Sequence, residues 1–547
     1  MPDSYDYIIV GAGSSGCVLA ERLSADPRNR VLLLEAGGID SHPLIHMPKG
    51  LGKLVLDPKH AWHFPIDQPR IPGDPPSETW VRGRGLGGSS SINGMIYVRG
   101  QPEDYEEWVT RGATGWDWPT MKRAFRAIED HELGDDGVRG EGGPVHVSSG
   151  HYRYPLSEAL IAAGEQMGLE RREDLNREDQ EGVGYYSHNI KRGRRQSAAV
   201  AFLKPAMKRP NLRVVTGVLV DRVTFDGQRR ATGVEGRFEG KPRSYHARAE
   251  VILSAGALIS PKILQLSGIG SADRLRGLGI DPLVDSPEVG ERMLDHLGFS
   301  MPYRLKGDPG INREFHGLGL ARNVLRYYLR HDGPLATGPF EVGAFVRTEP
   351  GVDRPDAQLY MGAFTFARGD DDNFPVPLAD VEREPGLTMY GQLLRLTSEG
   401  SVRIRSADPD APLVIEPNWM TTPEDQHAAV AMIRYMRRWM DQPAIAQHVE
   451  RELFPGRAVE DDAALLNAFR RFSMCGTHAV ATCRMGTDNA AVTDPDLRVN
   501  GVSGLRVVDC SVMPATVSGN TNAPAMALGW RAAERILATA KTTAAAA

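Results

Sequence analysis

The run Tyr7-Ile8-Ile9-Val10 leads directly into Gly11-Ala12-Gly13-Ser14-Ser15-Gly16, then a helical stretch through Leu23. A second apolar run, Val31-Leu32-Leu33-Leu34, closes the unit at Glu35. Short, wholly apolar runs on either side of a helix read as buried parallel strands. Gly11 permits the tight turn from strand to helix, Gly13 lets a pyrophosphate approach the backbone, and Gly16 lets helix and strand pack closely. The helix N-terminus offers free N–H groups and a positive dipole end to the phosphates. Glu35 lies nineteen positions beyond Gly16, where an acid accepts hydrogen bonds from a ribose 2′-hydroxyl, which argues against a 2′-phosphate. Glycines alone would suit any turn. The two strands and the placed acid make this a dinucleotide-binding fingerprint.

At 547 residues the chain is too long for one core, so two domains are expected. Hydrophobic content of 41% with 24% charge is ordinary globular composition, and a net charge of −6 leaves no nucleic-acid footprint. No stretch approaches the roughly 18–20 apolar residues of a spanning helix, and no signal peptide precedes Tyr5, so a cytoplasmic location is expected. Four cysteines (Cys17, Cys475, Cys483, Cys510) are too few for a disulfide framework and suit a reducing compartment. The tail from about residue 542 is expected to be disordered, and no internal repeat is evident.

A second glycine cluster runs Gly83-Arg84-Gly85-Leu86-Gly87-Gly88-Ser89-Ser90-Ser91-Ile92-Asn93-Gly94. It ends in the β-prone run Met95-Ile96-Tyr97-Val98 rather than in polar filler. Glycines admit close approach and positive φ, so such a loop can wrap a second part of a long cofactor. Further on, Val251-Ile252-Leu253 reads as a strand and Ser254-Ala255-Gly256 as a turn. Ser260-Pro261 reads as a helix start with proline at its favoured first position.

These segments resemble the glucose–methanol–choline oxidoreductases, FAD-dependent enzymes that oxidise alcohols. The first family signature matches Gly83 to Asn93 with Tyr97 and Gly100; the second matches Gly256 to Gly270. Val289 to His296 and Gly504 to Asp509 are also family-like, and Pro43 to Pro48 is most similar to the bacterial choline- and alcohol-dehydrogenase branch. The resemblance implies an α/β fold, with a Rossmann-like FAD-binding domain and a second, sheet-based substrate-binding domain. It implies that FAD is held by Gly11, Gly13, Ser14, Ser15, Gly16, Glu35 and Ala36, and by Arg84, Gly87, Gly88, Ser89, Asn93, Gly94 and Met95. Val220, Ala255, Gly256, Asp509, Cys510 and Asn522 complete the implied set. Some family members tether FAD through a histidine in the second glycine loop. Ile92 stands there in this chain and has no nucleophile, so a non-covalent flavin is expected.

Composition cannot choose a catalytic base among fifteen histidines. The resemblance points to His478, heading His478-Ala479-Val480-Ala481-Thr482, where the family usually has His-Pro-x-Gly-Thr. Ala479 and Ala481 depart from that pattern. The partner falls at Asn520 in Ser518-Gly519-Asn520-Thr521-Asn522, where an amide can donate to a substrate oxygen without competing as a base. Asn522 is expected on the flavin pyrimidine side or in the turn. The implied reaction is oxidation of an alcohol, expected to be primary, with His478 accepting the hydroxyl proton and hydride passing to flavin N5. Electrons would go to a quinone or other acceptor; an oxidase making hydrogen peroxide and a non-redox lyase with structural FAD are the alternatives. Cys475, His478 and Cys483 lack an obvious fourth ligand, so no metal is expected.

Because the fingerprint lies at the front and His478 and Asn520 at the back, the FAD-binding part must be discontinuous. The expected division is residues 1–300 with substrate-domain segments around 150–200, a substrate-binding part over 301–460, and a return over 461–547. Lys191-Arg192-Gly193-Arg194-Arg195 reads as a solvated or cofactor-facing loop. Ala321, Val324, Leu325, Tyr328 and Leu329 recur at helical spacing with Arg322, Arg326 and Arg330 on another face. The plain reading is an apolar face on the core; the sharper one is a patch for peripheral contact with the inner membrane.

Overall fold

A computed structural model describes residues 4–71, 73–74, 78–150, 152–307, 310–366 and 380–546. The strands Ser4–Val10 and Val31–Glu35 pair in parallel, as their apolar runs demand, and extend into a sheet with Leu212–Thr216 on one side and Lys241–Leu253 on the other. Lys241–Leu253 plays two parts. Its first half pairs antiparallel with Ala231–Phe238, which in turn pairs with Val218–Phe225; its last residues pair in parallel with Ser4–Val10 and Leu505–Val507. The fingerprint helix Ser14–Leu23 packs beside the C-terminal helix Asn522–Ala546 over this sheet. That helix continues where a disordered tail was expected from about residue 542, in keeping with the helix propensity of its alanines.

The second sheet runs Val449–Glu452, Leu297–Leu305, Gly386–Leu393, Ala357–Gly362, Val342–Val346, Gly182–Tyr185 and Arg171–Arg172 in spatial order. Its alternation separates two faces. Leu297, Phe299, Met301, Leu359, Met361, Leu387 and Met389 form one core with the helices Pro155–Gln166 and Pro423–Met440. Tyr360, Tyr390 and Gln392, offset by the pleat, face a cavity on the other side. Leu465 and Phe469 still belong to this second core, whereas Val480 belongs to the first. Ser401–Arg403 forms a separate hairpin with Val414–Glu416.

Two local expectations change. The helix within the second signature is Ile259–Leu266, begun at Leu258 rather than Ser260; the Ser260 hydroxyl is committed to Asp509 at 2.5 Å. On the helix Gly317–Arg330, Leu325, Tyr328 and Leu329 face solvent, and the buried side is instead Asn323 and Tyr327. Asn323 donates to the Glu314 carbonyl at 3.0 Å, and Tyr327 packs on Met47.

Candidate active site

A cavity of about 1460 Å³ joins the fingerprint to the second sheet. Gly11, Gly13, Ser14, Ser15, Glu35, Ala36 and Val220 line one end. Gly11 turns at φ +102°, where an added Cβ would stand 2.5 Å from the Ser254 carbonyl; a Cβ on Gly16 would stand 1.9 Å from the Gly11 carbonyl. Only glycine satisfies both positions. Two helices start here, at Ser14 and at Asn522, and Ser14 Oγ donates to Asn522 Oδ1 at 2.8 Å. Their first turns share the cavity wall, an arrangement suited to a pyrophosphate. Glu35 is buried and accepts the backbone N–H groups of Ala12 (2.8 Å), Gly37 (2.8 Å) and Gly85 (3.0 Å). Burial pushes its carboxyl up against the opposing pull of those amides. The same carboxylate thus ties the fingerprint to the second glycine loop.

Gly88, Ser89, Asn93, Gly94 and Met95 line the middle of the cavity. Arg195 holds this loop from behind. It is 1% exposed, its Nε donates to the Ile45 carbonyl at 2.9 Å, and its Nη1 reaches the Ser90 and Asn93 carbonyls at 3.2 and 2.7 Å. It has no carboxylate partner among the described residues, and burial lowers its pKa to about 9. Sequence reading placed the whole basic run in solvent or facing the cofactor; Arg195 instead supports the loop. Ala255, Gly256, Asp509, Cys510 and Asn522 also reach the cavity, with Asp509 accepting the Gly256 N–H at 2.8 Å and the Ser511 N–H at 2.9 Å. Gly16, Gly87 and Arg84 do not line it. Gly16 serves helix packing, Gly87 donates its N–H to the Ala12 carbonyl at 2.8 Å, and the Arg84 guanidinium lies 4.4 Å from the Trp62 ring.

His478 and Asn520 meet at the far end, with Nε2 of the imidazole 3.3 Å from Nδ2 of the amide. His478 Nδ1 lies 3.0 Å from His296 Nδ1 and 3.1 Å from the Gln392 amide. The backbone N–H of His478 donates to Asp295 Oδ1 at 2.7 Å, and Cys475 Sγ donates to Asp295 Oδ2 at 3.2 Å. Burial, with the neighbouring His296 and Arg82, holds the His478 imidazole well below its usual range; burial likewise lowers His296 to about 4 and raises Asp295 to about 6. Two non-glycine residues lining the cavity have left-handed backbones, Met95 (φ 63°) and Thr477 (φ 62°), and Ala481 (φ 70°) follows just behind in the core. Such conformations cost about 1–3 kcal/mol each and collect at functional sites.

The second sheet orients Asn520. Its Oδ1 accepts from Gln358 Nε2 at 3.3 Å and lies 3.4 Å from the Tyr360 hydroxyl, so its Nδ2 turns toward His478. Tyr360 Oη also donates to Gln358 Oε1 (2.8 Å) or Gln392 Oε1 (3.0 Å). Sequence reasoning missed Gln358, Tyr360, Gln392, Asp295 and His296 as site residues. One signal was present: glutamine and tyrosine alternate with leucine and methionine in a strand that proves fully buried, and buried polar groups need partners.

The fold and this cavity define a dinucleotide-binding oxidoreductase with a histidine–asparagine pair under a sheet roof. The sequence matches the GMC oxidoreductase family over residues 5–298 and 397–529. It is similar to mitochondrial choline dehydrogenase of Homo sapiens, at 40% identity over 98% of this chain and 90% of that protein. Similarity to an alcohol dehydrogenase [acceptor] of Pseudomonas putida is 39% over 97% of this chain and 96% of that one. Among solved structures, pyridoxine 4-oxidase from Mesorbium loti superposes with TM-score 0.86 at 32% identity, covering 97% of this chain and 99% of that chain. The chain belongs to the GMC oxidoreductase family. It is an FAD-dependent enzyme that oxidises CH–OH groups. The residues fit that cofactor: paired helix starts, a glycine wall and a buried acid occupy one end of the cavity and the histidine the other.

Proposed function

We propose that His478 accepts the hydroxyl proton of a neutral primary alcohol while the Asn520 amide holds its oxygen. One observation carries this reading: the imidazole Nε2 and the amide Nδ2 lie 3.3 Å apart at the end of the cavity that begins at the fingerprint. FAD, when bound, supplies the hydride acceptor. For Nε2 to take a proton, the ring hydrogen must sit on Nδ1, where His296 Nδ1 at 3.0 Å is its acceptor. Gln392 Nε2, 3.1 Å from His478 Nδ1, is a donor and can bond there only when Nδ1 is bare, so His296 and Gln392 compete for the ring hydrogen's position. The Asn520 amide, held through its oxygen by Gln358, keeps its N–H groups for the substrate. FAD is held non-covalently, since Ile92 on the cavity wall offers no nucleophile.

The lining carboxylates support a neutral substrate. Glu35 and Asp509 serve backbone amides. Glu78 pairs with Arg70, Asp221 and Asp410 with Arg237, Asp380 with Lys53, and Asp74 with Arg471. Among the described residues, no lining carboxylate is left for a quaternary ammonium, while Phe340, Phe366, Tyr360 and Tyr390 supply an apolar, aromatic wall. The lack of a free lining carboxylate favours a neutral aliphatic or aromatic alcohol; the aromatic wall by itself accepts either class, since aromatic faces also bind quaternary ammonium. Electrons pass to a quinone-like carrier, in keeping with the similar protein named for an acceptor; peroxide yield under air against dye reduction without oxygen separates this from an oxidase. Peripheral membrane contact belongs to the same reading.

The test is anaerobic flavin bleaching by a panel of alcohols that includes choline, with wild type and His478→Ala. Loss of a general base slows flavin reduction by about 10²–10⁴-fold and leaves FAD bound. Wild-type bleaching rates in the variant would remove His478 from the role, and choline as the preferred substrate would overturn the neutral-alcohol assignment.

A further inference from the structure

The helix Gly317–Arg330 is inside out. Leu318 is 91% exposed, Leu325 61% and Leu329 72%. At helical spacing these three share with Arg322 an arc of about 60°, the part of a surface helix usually given to charge. The helix contains three arginines and no acid. Around the ridge, Arg192, Arg194 and Arg330 are exposed, and the Arg192–Arg194 turn lies against the helix end, where Gly193 packs on the His331 carbonyl. Arg322 is paired with Glu314 at 2.6 Å and Arg326 with Asp332 at 2.6 Å, so the uncommitted positive charge is the rim.

The buried side of the helix ties it to the cavity. Tyr327 packs with Met47 and Leu335, and its hydroxyl donates to the His46 carbonyl at 3.2 Å. The segment that continues from Met47 brings Leu51, Val55 and Leu56 to the cavity wall, and Leu56 is itself 45% exposed. An apolar ridge with a basic rim therefore stands beside one wall of the cavity.

We propose that this ridge inserts into the headgroup boundary of a bilayer containing anionic lipid, holding the adjacent cavity wall at the membrane surface. Exposed leucines rimmed by Arg192, Arg194 and Arg330, unpaired among the described residues, match an anionic interface in both apolar and electrostatic character. A second copy of the chain would instead bring like charges together across the ridge. Docking stands on the helix alone; its use, access of a lipid-soluble electron acceptor, rests on the alcohol-oxidation reading above.

Flotation of the FAD-loaded enzyme with vesicles of phosphatidylglycerol and phosphatidylcholine, beside vesicles of phosphatidylcholine alone, tests this. Wild type is expected to float with the anionic vesicles at low salt and to be released as salt rises. The triple variant Leu318→Glu, Leu325→Glu, Leu329→Glu should lose about tenfold or more of that partitioning while keeping its FAD content and its turnover with a water-soluble dye. Wild type that stays down at low salt, or a variant that floats equally well, overturns the proposal. So does light scattering that shows a wild-type dimer split by the variant without any flotation, which would assign the ridge to a second copy. Flotation without alcohol-dependent dye reduction would sink the catalytic reading and leave the docking intact.

Discussion

His478 sits where three effects push the same way: burial, His296 and Arg82 all disfavour the imidazolium. In the proposed role a protonated ring cannot accept the alcohol proton, so activity should fall as pH drops through the His478 pKa. A depressed pKa moves that fall to more acid conditions. The rate of flavin reduction should therefore hold level down through pH 6.5, the ordinary imidazole value, and decline only below it. Arg82→Gln removes one positive neighbour and should move the acid limb upward; a wild-type limb at or above the ordinary value would contradict the buried, neutral ring. Three positions on, Ala481 holds φ 70° where the family pattern has glycine. An L-residue there costs about 1–2 kcal/mol, so Ala481→Gly should raise stability by about 1 kcal/mol. Urea titration reads this directly, and an unchanged midpoint would mean the alanine is unstrained.

Among the elements, the second glycine loop depends on a residue far from it in sequence. Arg195 gives its charged donors to the carbonyls of Ile45, Ser90 and Asn93, and hydrogen bonds from charged groups contribute about 1.5–3 kcal/mol each when buried. Arg195→Met leaves those carbonyls without donors in a dry interior. The expected result is enzyme that purifies with clearly reduced FAD content and loses about 2 kcal/mol or more of stability; full flavin occupancy would show that the loop holds its shape unaided. The fingerprint itself was readable because its logic is local: strand, glycine turn, helix start and acid lie within thirty residues. Arg195 was not, because nothing in a basic pentapeptide distinguishes the one guanidinium that folds inward. The helix Gly317–Arg330 shows the same limit, since the sequence left open whether its apolar stripe meets the core or the outside. Its periodicity is real, yet which arc meets the core was decided by Tyr327 packing on Met47.

Across the whole molecule, the cavity lies between the fingerprint wall and the sheet roof, so FAD bound there should stabilise both. With FAD at 100 times its dissociation constant, linkage adds about 2.7 kcal/mol, seen as a melting temperature that rises with FAD concentration. Acid precipitation should release all the flavin into the supernatant; a yellow pellet would mean a covalent bond. The sequence alone determined the α/β class and the dinucleotide cofactor, through glycine spacing and motif resemblance, and singled out the histidine and asparagine proposed for catalysis. Only the tertiary structure decided that His478 meets His296, 182 positions away, and that Asn520 is aimed by Gln358, 162 positions away. Turns and helix starts are written in neighbouring residues, whereas the register of strands Leu297–Leu305, Ala357–Gly362 and Gly386–Leu393 sets which side chains arrive over the imidazole. Register is a property of chains brought together, and no local run of residues encodes it.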